Sequence, residues 1–166
     1  MNIETERLLV EPFSIELIDG AVAKDRNKIL SLGYNFSEEW PEPDLAEALP
    51  HFKQLIAANG INGFNSWIII DKKSKDIIGS IGFIGNPDDK GRIEIGFGII
   101  PSKRKQNYCF EAGKSLITWA FKQPDVKEIT AKCDGNNLAS VKTLEKLGFI
   151  KTNISGSQIL WFYRAV

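Results

Sequence analysis

The sequence predicts an α/β fold, a mixed central sheet of about seven strands with helices on both faces. Three observations carry that reading. Apolar runs of strand length and amphipathic stretches follow each other in the order β α α β β β α β α β β. Three consecutive strands between residues 66 and 100 are joined by short polar turns, which predicts an antiparallel meander. A helical stretch at 107–122 then leads to a strand at 126–133, which should return parallel to the strand at 92–100.

The elements follow from local chemistry. RLLVEPF (7–13) reads as a strand, and Ser14 caps a helix over 15–31 that Gly33 stops. NFSEEWPEP (35–43) reads as a loop. Asp44 and Glu47 form a capping box for a helix to residue 58, with Pro50 as a kink. SWIIID (66–71), IIGSIGFIG (77–85) and RIEIGFGII (92–100) are the meander. In the helix at 107–122, Cys109, Ala112, Gly113, Leu116, Ile117 and Ala120 make a buried stripe, and Gln123-Pro124 ends it. Asn137 opens a helix that closes at Leu147-Gly148, and GFIKT (148–152) and SQILWFYRA (157–165) are the last strands.

Composition narrows the function classes. A chain of 166 residues is of a size for one domain, here 1–166. Lys plus Arg and Asp plus Glu both count 21, so zero net charge argues against nucleic acid as the partner. Cys109 and Cys133 have no metal-ligand spacing, so no metal is expected, and free thiols fit the cytoplasm. MNIETERLLVEPF is too charged for a signal peptide, and no apolar run approaches the ~20 residues of a membrane span.

Three constellations bear on chemistry. Lys103, Arg104 and Lys105 follow the strand at 92–100 and precede a helix with no Ser, Thr or Asp directly before it. Free helix N–H groups beside cations suit an anion, above all phosphate; the alternative is a solvated basic loop. Glu94, Gly96 and Gly98 share one strand face, where glycine admits close approach of a ligand and a carboxylate could act as a general base; the alternative is an edge glutamate. In DGNNLASVKTLEKLGF (134–149), Asn137 lies at an N-cap and Ser140 three residues on, which an ordinary capped helix also explains. Gly79, Gly82 and Gly85 lie in a strand pattern without the following helix of a dinucleotide fingerprint, which excludes that reading.

TERLLVEPF, RIEIGFGIIPSKRKQNYCFEAG and NNLASVKTLEKLGF together resemble the GNAT acetyltransferases, in particular the branch of Rim-type ribosomal-protein N-acetyltransferases (ribosomal-protein-alanine acetyltransferase-like). The resemblance spans essentially the whole chain and implies a GNAT-like acyl-CoA N-acyltransferase fold. It implies acetyl-CoA as co-substrate, with Gly98, Ile99, Ile100, the run Arg104, Lys105, Gln106, Asn107, Tyr108 and Cys109, and Asn137 as its binding residues. Asn107 and Cys109 stand where the family's pyrophosphate motif usually has glycine, and glycine or alanine; Asn tolerates left-handed backbone best among non-glycine residues.

The resemblance also implies direct transfer of acetyl to a primary amine, either a protein N-terminus or a small molecule. Glu94 is the implied base, acting through a water, and Ser140 the helper of the leaving thiolate. A backbone N–H of the 97–100 region is the implied oxyanion donor. The tyrosine used as general acid by many members is replaced by Leu144. Trp40, which with Pro41 and Pro43 lies between the two early helices, is placed as an acceptor-binding residue, with core packing as the alternative. A covalent route through Cys109 or Cys133 is poorly supported, because the one histidine, His51, has no motif linking it to either thiol. A homodimer is left open. The alternative function is a non-catalytic acyl-CoA-binding or regulatory protein of the same fold.

Overall fold

The computed structural model describes residues 1–165. Its elements are β1 (Ile3–Glu4), β2 (Leu8–Pro12), α1 (Ile15–Val22), α2 (Arg26–Ser31), β3 (Asn35–Phe36), α3 (Pro43–Asn59), β4 (Ser66–Asp71), β5 (Asp76–Phe83), β6 (Arg92–Ile99), α4 (Tyr108–Phe121), β7 (Glu128–Asp134), α5 (Leu138–Leu147), β8 (Ile150–Ser155) and β9 (Gln158–Arg164). The strands form one mixed sheet in the order β1-β2-β4-β5-β6-β7-β9-β8, with β3 beside the start of β5. The seven expected strands are all present, joined by the two-residue β1 and β3. β4 is buried throughout and β5 nearly so, because both faces of the sheet centre are covered.

Local chemistry corrects two helix readings. The stretch 15–31 is two helices, since Lys24 turns left-handed (φ 54°) and Asp25 caps α2 through the Lys28 N–H at 3.1 Å. The Asp44–Glu47 capping box does not form. Pro43 takes the first helical position and Glu42 the cap, so Asp44 already lies inside α3. Elsewhere the stripe of α4 is buried at Ala112, Gly113, Leu116, Ile117 and Ala120, while Cys109 is only half-buried. A Cβ on Gly113 would stand 3.0 Å from Leu147, so this glycine admits α5 against α4.

The meander is antiparallel, and β7 returns parallel to β6. That parallel ladder is short. It pairs Arg92 with Glu128, Ile93 with Ile129 and Glu94 with Thr130, and then stops. β6 continues to Ile99 on β5 alone, and β7 to Asp134 on β9 alone. The two strands therefore splay at their carboxyl ends.

Ladder phase decides which groups face the gap. The Ile84 N–H donates to the Glu94 carbonyl and the Ile100 N–H to the Ile78 carbonyl. Even-numbered residues of β6 thus bond to β5, while Ile95, Phe97 and Ile99 turn their amides to the open edge. Side chains alternate likewise. Phe97 and Ile99 face α4, whereas Glu94, Gly96 and Gly98 face α3.

On the α3 face, Gly96 pairs with Gly82 and Gly98 with Ser80, making a floor of small residues. The two paired glycines differ in room. A Cβ on Gly82 would sit 2.4 Å from the Asn65 carbonyl oxygen, while one on Gly96 would meet nothing within 4 Å. Gly82→Ala should therefore cost about 1–3 kcal/mol in denaturant unfolding. Gly96→Ala should leave the unfolding midpoint close to that of the parent and narrow the cleft described below.

Candidate active site

After β6, Pro101–Lys103 makes a single 3₁₀ turn, and the chain then needs two left-handed residues to enter α4. These are Lys105 (φ 63°) and Asn107 (φ 63°, ψ 18°). Asn107 thus takes the backbone for which glycine is otherwise used. Its side chain does not cap α4; its Oδ1 accepts from the Lys146 ammonium at 3.2 Å. The first bond of the helix is Glu111 N–H to the Asn107 carbonyl, which leaves the amides of Tyr108, Cys109 and Phe110 without helical partners.

This loop is fastened from both sides. Arg104 Nε donates to the Ile99 carbonyl at 3.0 Å, folding the guanidinium back on the end of β6. Glu111 accepts from Thr5 Oγ1, from the Arg7 N–H at 3.0 Å and from Arg7 Nε at 2.8 Å. Burial opposes ionisation of Glu111, but these three donors hold its carboxyl below the usual range. Arg7 also donates to the Gln106 carbonyl at 2.9 Å and lies over the Tyr108 ring.

The splay opens into a cleft of about 670 Å³. Leu45, Ala48 and Phe52 of α3 wall it on one face of the sheet, and the start of α4 with one side of α5 wall it on the other. The cleft therefore passes through the sheet where the β6–β7 ladder is missing. Five cations line it, Lys103, Arg104, Lys105, Lys142 and Lys146, against two carboxylates, Glu42 and Asp44. Lys142 and Lys146 stand one turn apart on α5, a pattern that the sequence does not separate from any solvated helix face.

Of the residues singled out from sequence, Gly98, Ile99, Arg104, Lys105, Asn107, Tyr108, Cys109, Asn137 and Ser140 line this cleft. Asn137 caps α5 by accepting from the Ser140 N–H at 3.2 Å. Gln106, Ile100, Glu94 and Trp40 are not among the lining residues. The Ile100 amide is used in the β5 ladder, so of residues 97–100 only Phe97 and Ile99 present N–H groups to the gap. Glu94 lies 3.6 Å from the Lys132 ammonium. Trp40 is placed in the core, 2% exposed, stacked on Phe13 and edge-on to Phe36. Phe52 supplies the aromatic wall instead. His51 is exposed on α3, and burial, aided by Glu42, pushes the Cys109 thiol up to about 12, so little thiolate exists at neutral pH.

The residue that sequence reading missed is Glu42. It falls in the stretch read as loop, and nothing local marks it. Its Oε1 is buried without a hydrogen-bond partner among the described residues, and its Oε2 lies 2.8 Å from where a Cβ on Gly98 would be.

The fold agrees with the comparisons. Residues 7–150 match the family of the acetyltransferase (GNAT) domain, and the chain belongs to that family. It is 46% identical over 162 residues to the uncharacterized N-acetyltransferase YjdG of Bacillus subtilis (strain 168), covering 97% of this chain and 96% of that one. Solved structures of the same fold include RimL, the ribosomal L7/L12 α-N-protein acetyltransferase, in complex with coenzyme A. That match has a TM-score of 0.72 at 15% identity over 99% of this chain and 98% of the other. The ribosomal-protein-S5-alanine acetyltransferase of Vibrio fischeri matches with a TM-score of 0.69 at 20% identity, over 99% and 96%.

Burial pushes the Glu42 carboxyl above its ordinary value of 4.5; the residue's own backbone N–H and Arg104 oppose this, and Asp44 adds to it. The folded chain therefore holds this proton to higher pH than the unfolded chain does. The ionisation penalty is absent below the ordinary value and full above the raised one. Glu42→Gln should raise the thermal midpoint at pH 8 by about 2–4 °C for each kcal/mol relieved, with the gain fading near pH 4. A lower midpoint at pH 8 would mean that the carboxylate is satisfied in solution.

Proposed function

We propose that the protein transfers the acetyl group of acetyl-CoA to a primary amine by direct attack in a ternary complex. The carrying observation is the cleft through the sheet, with cations and bare helix amides at one mouth and an apolar wall with carboxylates at the other. The cationic mouth suits coenzyme A. The amides of residues 108–110 with Arg104 and Lys105 suit the pyrophosphate, and Lys142 and Lys146 suit a further phosphate. The open edge of β6 offers N–H groups to the amides of the pantetheine arm. The opposite mouth, between α3 and the floor of small residues, suits the acceptor.

The chemistry needs few groups. The acceptor ammonium loses a proton, and the free amine attacks the thioester carbonyl. An N–H of Phe97 or Ile99 stabilises the oxyanion that forms. The carbon–sulfur bond breaks, the Ser140 hydroxyl on α5 donates a hydrogen bond to the leaving sulfur, and the second proton lost by the nitrogen ends on the thiol. Leu144, 1% exposed, cannot serve as acid. The resemblance assigns the proton to Glu94, which would act through a water. Holding both substrates in one passage supplies much of the rate. The acceptor is a protein N-terminus or a small-molecule amine, as the names of the structural neighbours suggest.

The alternative, a non-catalytic acyl-CoA binder, is motivated by Asn107 and Cys109. The left-handed backbone at Asn107 supports coenzyme A binding under either reading, because the loop keeps its shape without glycine. Calorimetric titration with acetyl-CoA tests the site. Arg104→Ala and Lys146→Ala should each weaken binding about tenfold, a difference of about 1.4 kcal/mol, and the loss should shrink with added salt. No heat of binding in the parent protein would remove the proposal.

A further inference from the structure

We propose that Glu42 takes the proton from the acceptor ammonium directly, inside the cleft, in place of a relay to Glu94. This rests on the acetyl-transfer reading above. Three structural facts carry it.

First, Glu42 is fixed in place. It is the N-cap of α3, its carbonyl accepts from the Ala46 N–H at 2.9 Å, and Pro43 follows it. Second, its carboxylate is set over Gly98. Gly98 lies between Phe97 and Ile99, whose amides face the open edge where the thioester carbonyl would be held. A Cβ at that point would stand 2.8 Å from Oε2, so the carboxylate lies directly over this glycine. Third, one oxygen of Glu42 is left without a partner, and only the residue's own backbone N–H and the charge of Arg104 offset the burial of the carboxylate. That oxygen, the buried Oε1, accepts no hydrogen bond among the described residues. A buried carboxylate oxygen left bare is costly, so it calls for a donor that the fold does not itself supply. An ammonium entering beside Leu45 and Phe52 would be that donor.

The charged and titratable groups facing Glu42 fit this role. Arg104 approaches from the loop after β6, but its Nε is committed to the Ile99 carbonyl. Asp44 stands on the same helix, and Cys109 faces it from α4 with its thiol protonated. Glu94, by contrast, has a cation of its own in Lys132 and lies outside the cleft lining. The protons balance. The ammonium gives one to Glu42, and the lone pair released forms the C–N bond. The second leaves the nitrogen as the C–S bond breaks and ends on the coenzyme A thiol. Glu42 then returns its proton to water.

The test is thiol release from saturating acetyl-CoA between pH 6 and 9.5. The acceptors are leucinamide, an alanine-initiated tetrapeptide, spermidine and glucosamine. With the amine that the parent turns over best, Glu42→Gln should lower kcat/KM about a hundredfold or more and abolish the acidic limb of the profile. Acetyl-CoA affinity should stay within about threefold of the parent. Glu42→Asp should recover part of the rate, Glu94→Gln should lose less than about tenfold, and the exposed Glu47→Gln should match the parent. Carbon-13 NMR of the side-chain carboxyls, assigned by Glu42→Gln, reports without an acceptor, and the Glu42 signal should titrate above the other glutamates. Glu42→Gln within about threefold of the parent, a larger loss in Glu94→Gln, or an ordinary titration of Glu42 would each overturn the inference. A parent that binds acetyl-CoA and acetylates none of the four amines would overturn the transfer reading itself, and this inference with it.

Discussion

The parallel ladder between β6 and β7 ends at Glu94 and Thr130, and the site depends on that ending. Had the strands stayed paired to Ile99, their side chains and ladder bonds would close the passage between α3 on one face and α4 with α5 on the other. The gap leaves backbone groups of β6 without strand partners, a cost that proteins normally avoid. Part of it is offset within the fold, since Arg104 satisfies the Ile99 carbonyl. The remaining N–H groups are the ones that an amide or a developing oxyanion could use. The rigid centre of the sheet, β4 and β5 buried on both sides, lets its neighbour hold this shape.

The anion mouth has a second dependence, on charge placed away from it in sequence. Glu111 belongs to the first turn of α4, where a carboxylate favours the helix dipole but would repel a phosphate. Arg7 and Thr5 engage both of its oxygens. Its charge is thereby turned toward β2 and neutralised, and the cations of the loop and of α5 set the potential of the cleft. The same arginine steadies the Gln106 carbonyl and the Tyr108 ring, so one side chain both silences an unfavourable charge and shapes the loop.

Much of this was legible from local pattern. SWIIID matches β4 residue for residue, and the Leu147-Gly148 stop of α5 and the left-handed tolerance of Asn107 follow from single-residue conformational preference. The break after α1 is hidden because Ile29 and Leu30 continue the helical spacing of Leu17, Ile18, Ala21 and Val22 across it, and only the cap at Asp25 marks it. The capping box failed because Pro43, with φ already set, fixes the helix start one residue ahead of Asp44. The cleft lining was legible where it is nearly contiguous, at 98–99, 104–105, 107–109, 137 and 140. Glu42, Phe52, Lys142 and Lys146 were not, since they meet only after chain segments cross the sheet. Trp40 lies two residues before Glu42, and pattern alone cannot say which of the two turns inward to the core.

The fastening of Glu111 by Arg7 joins residues 104 positions apart. During synthesis at about 5–20 residues per second, Arg7 is made roughly 5–20 s before its partner. β2 likewise waits for β4, its neighbour in the sheet. Until β4 is made, β2 has only the two-residue β1 beside it, with Leu8, Val10 and Phe13 uncovered. Chaperone contact in the nascent chain would fall on this strand, and the anion loop can be fastened only after Glu111 is made.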